Sequence, residues 1–228
     1  MRLSGRLRSM RLGAALLLGL VAAVASIGEI RADSAEPTRV LVFGDSLSAA
    51  YRLPEEQGWV AGMRERLDQR APGRYDVTNA SASGETTSGG ISRLDEVLAT
   101  GHYDWVLLEL GANDGLRGLP LDRIESNLQR LVDRAEEGGA EVVLLGIMLP
   151  TNYGPVYAEP FREMYARLAE DNDLPALPFL LEGVASEREL MMDDGIHPNA
   201  EGQKRVLENV WDLVAPLWGL DDQADRDK

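Results

Sequence analysis

The chain has 228 residues, of which 44% are hydrophobic and 27% are charged, the composition of an ordinary globular protein. Its formal net charge of -15 argues against nucleic acid as a partner, because the phosphate backbone attracts basic surfaces. Cysteine is absent, which excludes a thiol nucleophile, a cysteine zinc site, an iron–sulfur cluster and disulfides. The only histidines are His102 and His197, so any imidazole catalyst must be one of these two.

The first 32 residues have the pattern of a secretory signal peptide. Four arginines precede an uncharged run of 16 residues, from position 12 to position 27. That run is shorter than the roughly 20 residues needed to span a bilayer, and a retained anchor is the alternative. We therefore predict cleavage after Ala25 or Ala32, export to the periplasm or the medium, and no stable membrane insertion of the mature chain. Residues 33–220 are predicted to form one domain, and residues 221–228 a disordered acidic tail.

Beyond the signal segment, apolar runs alternate with stretches of helical spacing. Strands that are apolar throughout and separated by helices indicate a parallel sheet covered on both faces, in a three-layer α/β domain. In chain order the prediction is strand 39–43, helix 59–69, strand 75–79, helix 90–99, strand 105–110, helix 121–137, strand 141–147, helix 159–172, strand 175–179 and helix 200–217.

Polar residues follow the predicted strands at the points where the strands end. Ser46 comes after the first strand in GDSLS, Gly84 after the second in NASASGET, and Asn113 after the third in GAND. His197 lies in DDGIHPN, between the fifth strand and the last helix. Because ligands bind at the carboxyl ends of the strands in such sheets, we expect these residues to meet at one edge.

These residue types together suit nucleophilic catalysis. A serine hydroxyl is a poor nucleophile until a base takes its proton, and His197 is the candidate base for Ser46. Asp194 lies three residues before His197 and can hold the imidazole in the required tautomer, with Asp193 as an alternative. His102 has no serine or carboxylate pattern nearby and is interpreted as an exposed turn residue.

A tetrahedral intermediate also needs hydrogen-bond donors for its oxyanion. The backbone N–H groups of Ser46 and Gly84 and the side-chain amide of Asn113 could supply them. Each motif alone is more typical of a turn or a helix cap. Their joint occurrence, each after a strand, favours a serine hydrolase, although the G-x-S-x-G elbow of α/β-hydrolases is absent.

The motifs resemble those of the SGNH hydrolases, also called GDSL esterases. The four matching blocks are residues 44–48, the loop at Gly84, residues 111–114 and residues 194–198. Longer stretches, among them LLELGANDGLRG and LPTNYGPVY, are similar to a bacterial periplasmic subgroup with thioesterase, lysophospholipase and arylesterase activity. Ala112 departs from the pattern, since glycine stands there in some relatives.

This resemblance implies a flavodoxin-like fold, with about five parallel strands in the order 2-1-3-4-5. It implies that Ser46, Asp194 and His197 form the catalytic triad, and that Ser46, Gly84 and Asn113 donate to the oxyanion. It implies neither a metal nor an organic cofactor.

Residues 149–158 follow the fourth strand and resemble the acyl-lining loop of that subgroup. Tyr153, Gly154, Pro155 and Tyr157 are therefore predicted to bind substrate, because tyrosine rings offer apolar faces to a hydrocarbon chain. The predicted partners are a small-molecule acyl ester, thioester or lysophospholipid, and we expect a monomer. An acyltransferase of the same fold and a non-catalytic binding module are the alternative functions.

Overall fold

The structure is a computed structural model that describes residues 36–220. The predicted signal segment, residues 1–32, and the predicted tail, residues 221–228, lie outside the described residues.

Five parallel strands form one sheet in the order β2-β1-β3-β4-β5, which confirms the predicted order. The strands are β1 (Thr38–Gly44), β2 (Tyr75–Asn79), β3 (Trp105–Glu109), β4 (Glu141–Leu145) and β5 (Ala176–Leu177).

Helices cover both faces of this sheet, as expected for strands that are apolar throughout. The first and last helices, α1 and α6, pack on each other, whereas α4 packs on α2 and α5. The helices are α1 (Trp59–Arg70), α2 (Thr87–Leu98), α3 (Ala112–Leu116), α4 (Leu121–Glu137), α5 (Pro155–Asp171) and α6 (Ala200–Leu217).

The core lies on both faces of the three central strands. Residues 40–43 of β1 and residues 142–145 of β4 are at most 2% exposed. Helix α4 contributes a stripe at helical spacing, in which Ile124, Leu128, Leu131 and Val132 are fully buried. The three-layer α/β architecture inferred from the apolar runs is therefore confirmed.

Two element boundaries differ from the sequence prediction in ways that affect the site. Helix α5 begins at Pro155, four residues before the predicted start at 159, so Pro155 and Tyr157 belong to a helix rather than to a loop. Proline suits the first helical position because it needs no hydrogen-bond acceptor there. Helix α3 was not predicted, because five residues are too few to show a helical period.

Parallel strands bring their carboxyl ends to one edge. The register pairs Gly44, the last residue of β1, with Glu109, the last residue of β3. The segments after these strands therefore leave the sheet side by side, and α6 begins at the same edge shortly after His197. Within residues 36–220, no helix is long and apolar enough to cross a membrane.

Candidate active site

Ser46, His197 and Asp194 form one hydrogen-bonded chain at this edge. His197 Nε2 lies 2.9 Å from Ser46 Oγ, although the two residues are 151 positions apart. His197 Nδ1 lies 2.8 Å from Asp194 Oδ2, so Asp194 rather than Asp193 holds the ring. Protonation at Nδ1 leaves Nε2 free to accept a proton from the serine hydroxyl.

Asp194 is held as a carboxylate by the tight turn that it begins. Its Oδ1 accepts hydrogen bonds from the backbone N–H groups of Ile196, at 2.9 Å, and His197, at 3.0 Å. Partial burial by itself would raise the pKa of Asp194, but these two N–H groups and the His197 ring lower it to about 2. The Asp194 side chain is therefore a carboxylate at neutral pH.

Ser46 lies in a helical turn directly after β1. The N–H of Ala49 donates to the carbonyl oxygen of Asp45 at 3.0 Å, and the N–H of Leu47 donates to Asp45 Oδ1 at 3.0 Å. These two hydrogen bonds fix the backbone on either side of the serine. Asp45 itself is fully buried.

Gly84 lies in a turn fixed from both sides. The N–H of Ala82 donates to the carbonyl oxygen of Gly44 at 3.0 Å, which ties this turn to the end of β1. Arg117 Nη2 donates to the Gly84 carbonyl oxygen at 3.3 Å. Gly84 has φ +81°, a left-handed conformation that favours glycine, so the turn that presents its N–H depends on this residue type.

Asn113 is placed in the first turn of α3 and contacts the residue before the serine. Its Nδ2 donates to Asp45 Oδ2 at 3.0 Å, which uses one of the two amide hydrogens. The next residue, Asp114, is buried and accepts hydrogen bonds from Thr87 N at 2.8 Å and Thr87 Oγ1 at 2.7 Å. Helix α3 is thereby anchored to the start of α2, which fixes the position of Asn113.

Tyr153 and Tyr157 are half-buried, and their hydroxyls donate to backbone carbonyls at the end of α3 and in the segment that follows it. Tyr153 Oη lies 2.7 Å from Leu116 O, and Tyr157 Oη lies 2.6 Å from Leu119 O. The two tyrosines therefore brace the entrance of α5 against the segment that follows Asn113. Gly154, with φ +74°, makes the turn into that helix.

A metal centre has no candidate ligand set in the part of the chain that the structure describes. No group of three or more His, Asp or Glu side chains lies close enough to hold an ion among residues 36–220.

The sequence matches the GDSL-like Lipase/Acylhydrolase family over residues 42–205. That span contains the serine turn, the Gly84 turn, Asn113 and the Asp194–His197 turn. The chain belongs to this family. The resemblance inferred from the four motifs is confirmed.

Relatives and solved structures agree with this assignment. Esterase TesA of Pseudomonas aeruginosa is 44% identical over 204 residues, which is 90% of this chain and 98% of that protein. Thioesterase 1/protease 1/lysophospholipase L1 of Escherichia coli K12 is 39% identical over 178 residues, 78% of this chain and 84% of that protein. The crystal structure of the psychrotrophic esterase EstA from Pseudoalteromonas sp., inhibited by monoethylphosphonate, has a TM-score of 0.76 at 36% identity and covers 80% and 99% of the two chains. This GDSL-like hydrolase is an enzyme of carboxylic ester hydrolysis with the SGNH fold.

Tyr51 is a further residue of the site in this GDSL-like hydrolase, and no sequence motif points to it. Its ring stacks on the imidazole of His197, with centroids 4.2 Å apart and ring planes 29° apart. The Arg52 guanidinium carbon lies 5.0 Å from the centroid of the Tyr51 ring. Ala50 and Arg52 both have positive φ, at 52° and 56°, a conformation that costs free energy for residues with a side chain. The strained turn thus holds Tyr51 over the histidine, a contact that sequence spacing does not reveal.

We expect Tyr51→Ala to lower kcat between about twofold and tenfold, since an aromatic pair of this kind is worth about 0.5–1.5 kcal/mol. The stack fixes the ring plane of His197 and with it the direction of Nε2 toward Ser46 Oγ. A misaligned base takes the serine proton less readily, so the loss is expected in kcat. Tyr51→Phe keeps the ring and should lose much less. Steady-state kcat and KM on a short-chain ester measure both variants. Equal losses would assign the effect to the hydroxyl instead of the stack.

Proposed function

We propose that the chain is an exported serine esterase that hydrolyses acyl esters and thioesters through an acyl-enzyme on Ser46. The single observation that carries this proposal is the contact of one imidazole with Ser46 Oγ and Asp194 Oδ2. A hydroxyl, a base and an ionised orienting carboxylate in sequence are the requirements for activating a serine. The acyltransferase and binding-module alternatives gain no support of their own from these contacts.

The first half of the reaction forms the acyl-enzyme. His197 Nε2 takes the Ser46 hydroxyl proton while Oγ attacks the acyl carbon, and the carbonyl oxygen becomes an oxyanion. The backbone N–H groups of Ser46 and Gly84 donate to that oxyanion, together with the second side-chain N–H of Asn113. The intermediate collapses when the bond to the leaving group breaks, and His197 gives its proton to the departing alcohol or thiol.

The second half returns the enzyme to its starting state. A water molecule loses a proton to His197 and attacks the acyl carbon of the ester on Ser46. The same donors stabilise the second oxyanion, and the acid leaves when Ser46 Oγ recovers the proton from the imidazole. Asp194 stays ionised throughout and stabilises the imidazolium.

Labelling by a serine-reactive alkyl phosphonate tests this proposal directly. We expect one phosphonate per chain, bound to Ser46 and detected by mass spectrometry of the digested protein. Ser46→Ala should not be labelled, whereas Ser186→Ala, which changes an exposed serine, should be labelled like the parent. The relative EstA has been crystallised in a form inhibited by monoethylphosphonate. An unlabelled parent protein would contradict the proposal, and acyl transfer to an added alcohol in excess of hydrolysis would favour the acyltransferase.

For the substrate we propose an uncharged acyl ester or a zwitterionic lysophospholipid, with thioesters cleaved in the test tube. Three exposed apolar side chains lie on segments at the carboxyl edge: Met148, Val156 and Ile196. Together with the half-buried rings of Tyr153 and Tyr157 they offer apolar surface for an acyl chain. The net charge of -15 would repel a polyanionic leaving group such as coenzyme A.

We expect activity to rise with acyl-chain length until this surface is filled, by up to about 0.8 kcal/mol for each buried methylene. Replacing Tyr153-Gly154-Pro155 by Ser-Gly-Ser should then lower kcat/KM for long-chain esters far more than for acetyl esters. Tyr153→Phe is the matched control, because it removes the bond to Leu116 O but keeps the ring. A chain-length series measures this, and equal losses at every length would show that the segment does not contact the acyl chain.

For localisation we propose that residues 1–32 direct export and are removed in the periplasm or on the way to the medium. The mature protein should begin between Ser26 and Asp33 and fractionate away from membranes. N-terminal sequencing of the periplasmic and membrane fractions measures this, with a chain lacking residues 2–32 as the cytoplasmic control. An intact N-terminus in the membrane fraction would favour the retained anchor. We propose that residues 33–220 form the catalytic domain and that the enzyme is a monomer.

A further inference from the structure

Glu109 is a fully buried carboxyl directly behind the proposed site, and the mechanism above makes no use of it. It is the last residue of β3, in register with Gly44 on β1. A β-carbon at position 44 would lie 2.5 Å from Glu109 Oε2, so glycine before Asp45 makes room for this carboxyl. The fold therefore accommodates an acid at a place where an apolar side chain would be expected in an all-buried strand.

The hydrogen bonds of Glu109 divide unequally between its two oxygens. Oε2 accepts from the N–H of Asp45 at 3.1 Å and from Ser48 Oγ at 2.7 Å. Oε1 is buried and has no donor, and the neighbouring Asp45 carboxyl raises the pKa of Glu109. Two ionised carboxylates cannot hydrogen-bond to each other, and a buried anion with an unsatisfied oxygen is costly. A proton on Oε1 removes both difficulties.

The contacts also indicate which of the two carboxyls keeps the proton. Burial raises the pKa of both groups, and the neighbouring Asp45 charge raises that of Glu109 further. Asp45 accepts a donor on each oxygen, Leu47 N and Asn113 Nδ2, and lies near His197, all of which favour its charged form. Glu109 has no equivalent donor on Oε1. The anion therefore belongs on Asp45 and the proton on Glu109.

We propose that Glu109 is a neutral carboxylic acid that donates a hydrogen bond to the Asp45 carboxylate, and that this pair positions the amide of Asn113. Asp45 Oδ2 holds one hydrogen of Nδ2, which leaves the other directed to the oxyanion. Glu109 is thus a positioning residue that acts through Asp45 and does not touch the substrate. The inference rests on the proposed oxyanion role of Asn113.

Two substitutions of Glu109 test whether it acts as a neutral acid, as an anion or only by filling space. Glu109→Gln keeps an oxygen for Asp45 N and Ser48 Oγ and supplies an N–H for the Asp45 carboxylate, so we expect kcat to fall less than about threefold. Glu109→Met fills the space without either function and should lower kcat by about tenfold to hundredfold with little change in KM, as for a misplaced oxyanion donor. Equal losses of kcat in the two variants would overturn the proposal.

The pH dependence of stability tests whether Glu109 is protonated, and it does not depend on activity. Besides Glu109 and Asp45, the titratable groups that interact with the pair are His197 and Tyr165 on α5, and Asp114 on α3 interacts with Tyr165. An acid whose pKa is raised by folding contributes stability at low pH that is lost as the pH rises. The folded-to-unfolded ratio of the parent, relative to Glu109→Gln, should fall by about tenfold for each pH unit above the usual glutamate pKa.

The infrared spectrum gives the same answer directly. The parent at pH 8 should show a protonated carboxylic-acid carbonyl band that is absent from Glu109→Gln. If the two proteins show parallel pH-dependent stability and the same infrared spectrum, Glu109 is ionised and the inference is wrong. Because neither measurement involves turnover, a protein without esterase activity would still support or refute the protonation.

The role in positioning is distinguished from the proposed function by Asn113→Ala. A loss of kcat in Asn113→Ala but none in Glu109→Met would leave the esterase mechanism intact and overturn the role of Glu109. No loss of kcat in Asn113→Ala would contradict the oxyanion role itself, and the positioning role of Glu109 would fall with it. We expect Asn113→Ala and Glu109→Met each to lower kcat. In the variant that combines them, the loss of kcat should be smaller than the two single losses together.

Discussion

Ser46→Ala, His197→Ala and the double variant are expected to lose kcat to one common floor, about 10⁴-fold or more below the parent. The reason is that the serine and the base act as a unit: without either one, no acyl-enzyme forms, so removing the second costs little more. The residual rate comes from substrate binding and the oxyanion donors. Steady-state and single-turnover hydrolysis of a short-chain ester measure kcat for each variant, with Ser186→Ala as the control. Additive losses in the double variant would mean that the two residues act in separate steps.

Removing the orienting carboxylate of Asp194 should lower kcat less than removing Ser46 or His197. Asp194→Ala should retain more activity than Ser46→Ala, because Asp193 can partly replace it as a partner of the imidazole. Because the pKa of Asp194 is about 2, its stabilising contacts are lost only as the pH falls toward that value, and the acid limb of the activity profile belongs to another group. A larger loss in Asp193→Ala than in Asp194→Ala would reverse the assignment of the orienting residue.

The sheet could be predicted from sequence because its central strands are buried on both faces. Runs such as residues 40–43 and 142–145 are apolar without interruption, and all five predicted strands begin within one residue of their position in the structure. Helix α6 has its predicted bounds because Asn199 caps it, with Oδ1 accepting from the N–H groups of Glu201 and Gly202. Apolar patterning and capping act locally, so a single sequence reveals them.

The start of α5 could not be read in the same way. Gly154 and Pro155 are typical of loops, and the sequence prediction placed both outside the helix. In the structure Gly154 makes the turn and Pro155 occupies the first helical position, where proline is favourable. Tyr157 is therefore carried by a helix, and its ring is fixed by the bond to Leu119 O. Part of the predicted acyl-binding segment is therefore helical.

Tyr51 and Glu109 show a different limit of sequence reasoning. Tyr51 contacts His197 only because the strained turn at Ala50 and Arg52 folds back over the imidazole. Glu109 is one polar residue in an apolar strand, and its partners come from the end of another strand and the turn after it. Both contacts depend on sheet register and backbone conformation, which are tertiary properties. Ser46 and the oxyanion candidates could be predicted because each follows a strand end, and Asp194 and His197 because they form a short motif just before α6.

Asn113→Ala is expected to lower kcat by about 10²-fold with little change in KM, because a donor to the oxyanion acts mainly in the transition state. Two partners hold this side chain in place before substrate arrives: Asp45 Oδ2 accepts one amide hydrogen, and buried Asp114 anchors α3 to Thr87. Preorganisation of this kind is what makes a single donor worth several kcal/mol, since no free energy is spent on orienting it during the reaction.

The matched control is Asn172→Ala, which removes an amide of the same type at the far end of α5, where it bonds to Gln129. We expect that variant to keep the parent kcat. Combining Asn113→Ala with Ser46→Ala should add little to the loss from Ser46→Ala alone, provided that the donor acts on the intermediate formed by Ser46. A raised KM at unchanged kcat would show instead that Asn113 binds the ground-state substrate, and the oxyanion would then depend on the N–H groups of Ser46 and Gly84 alone.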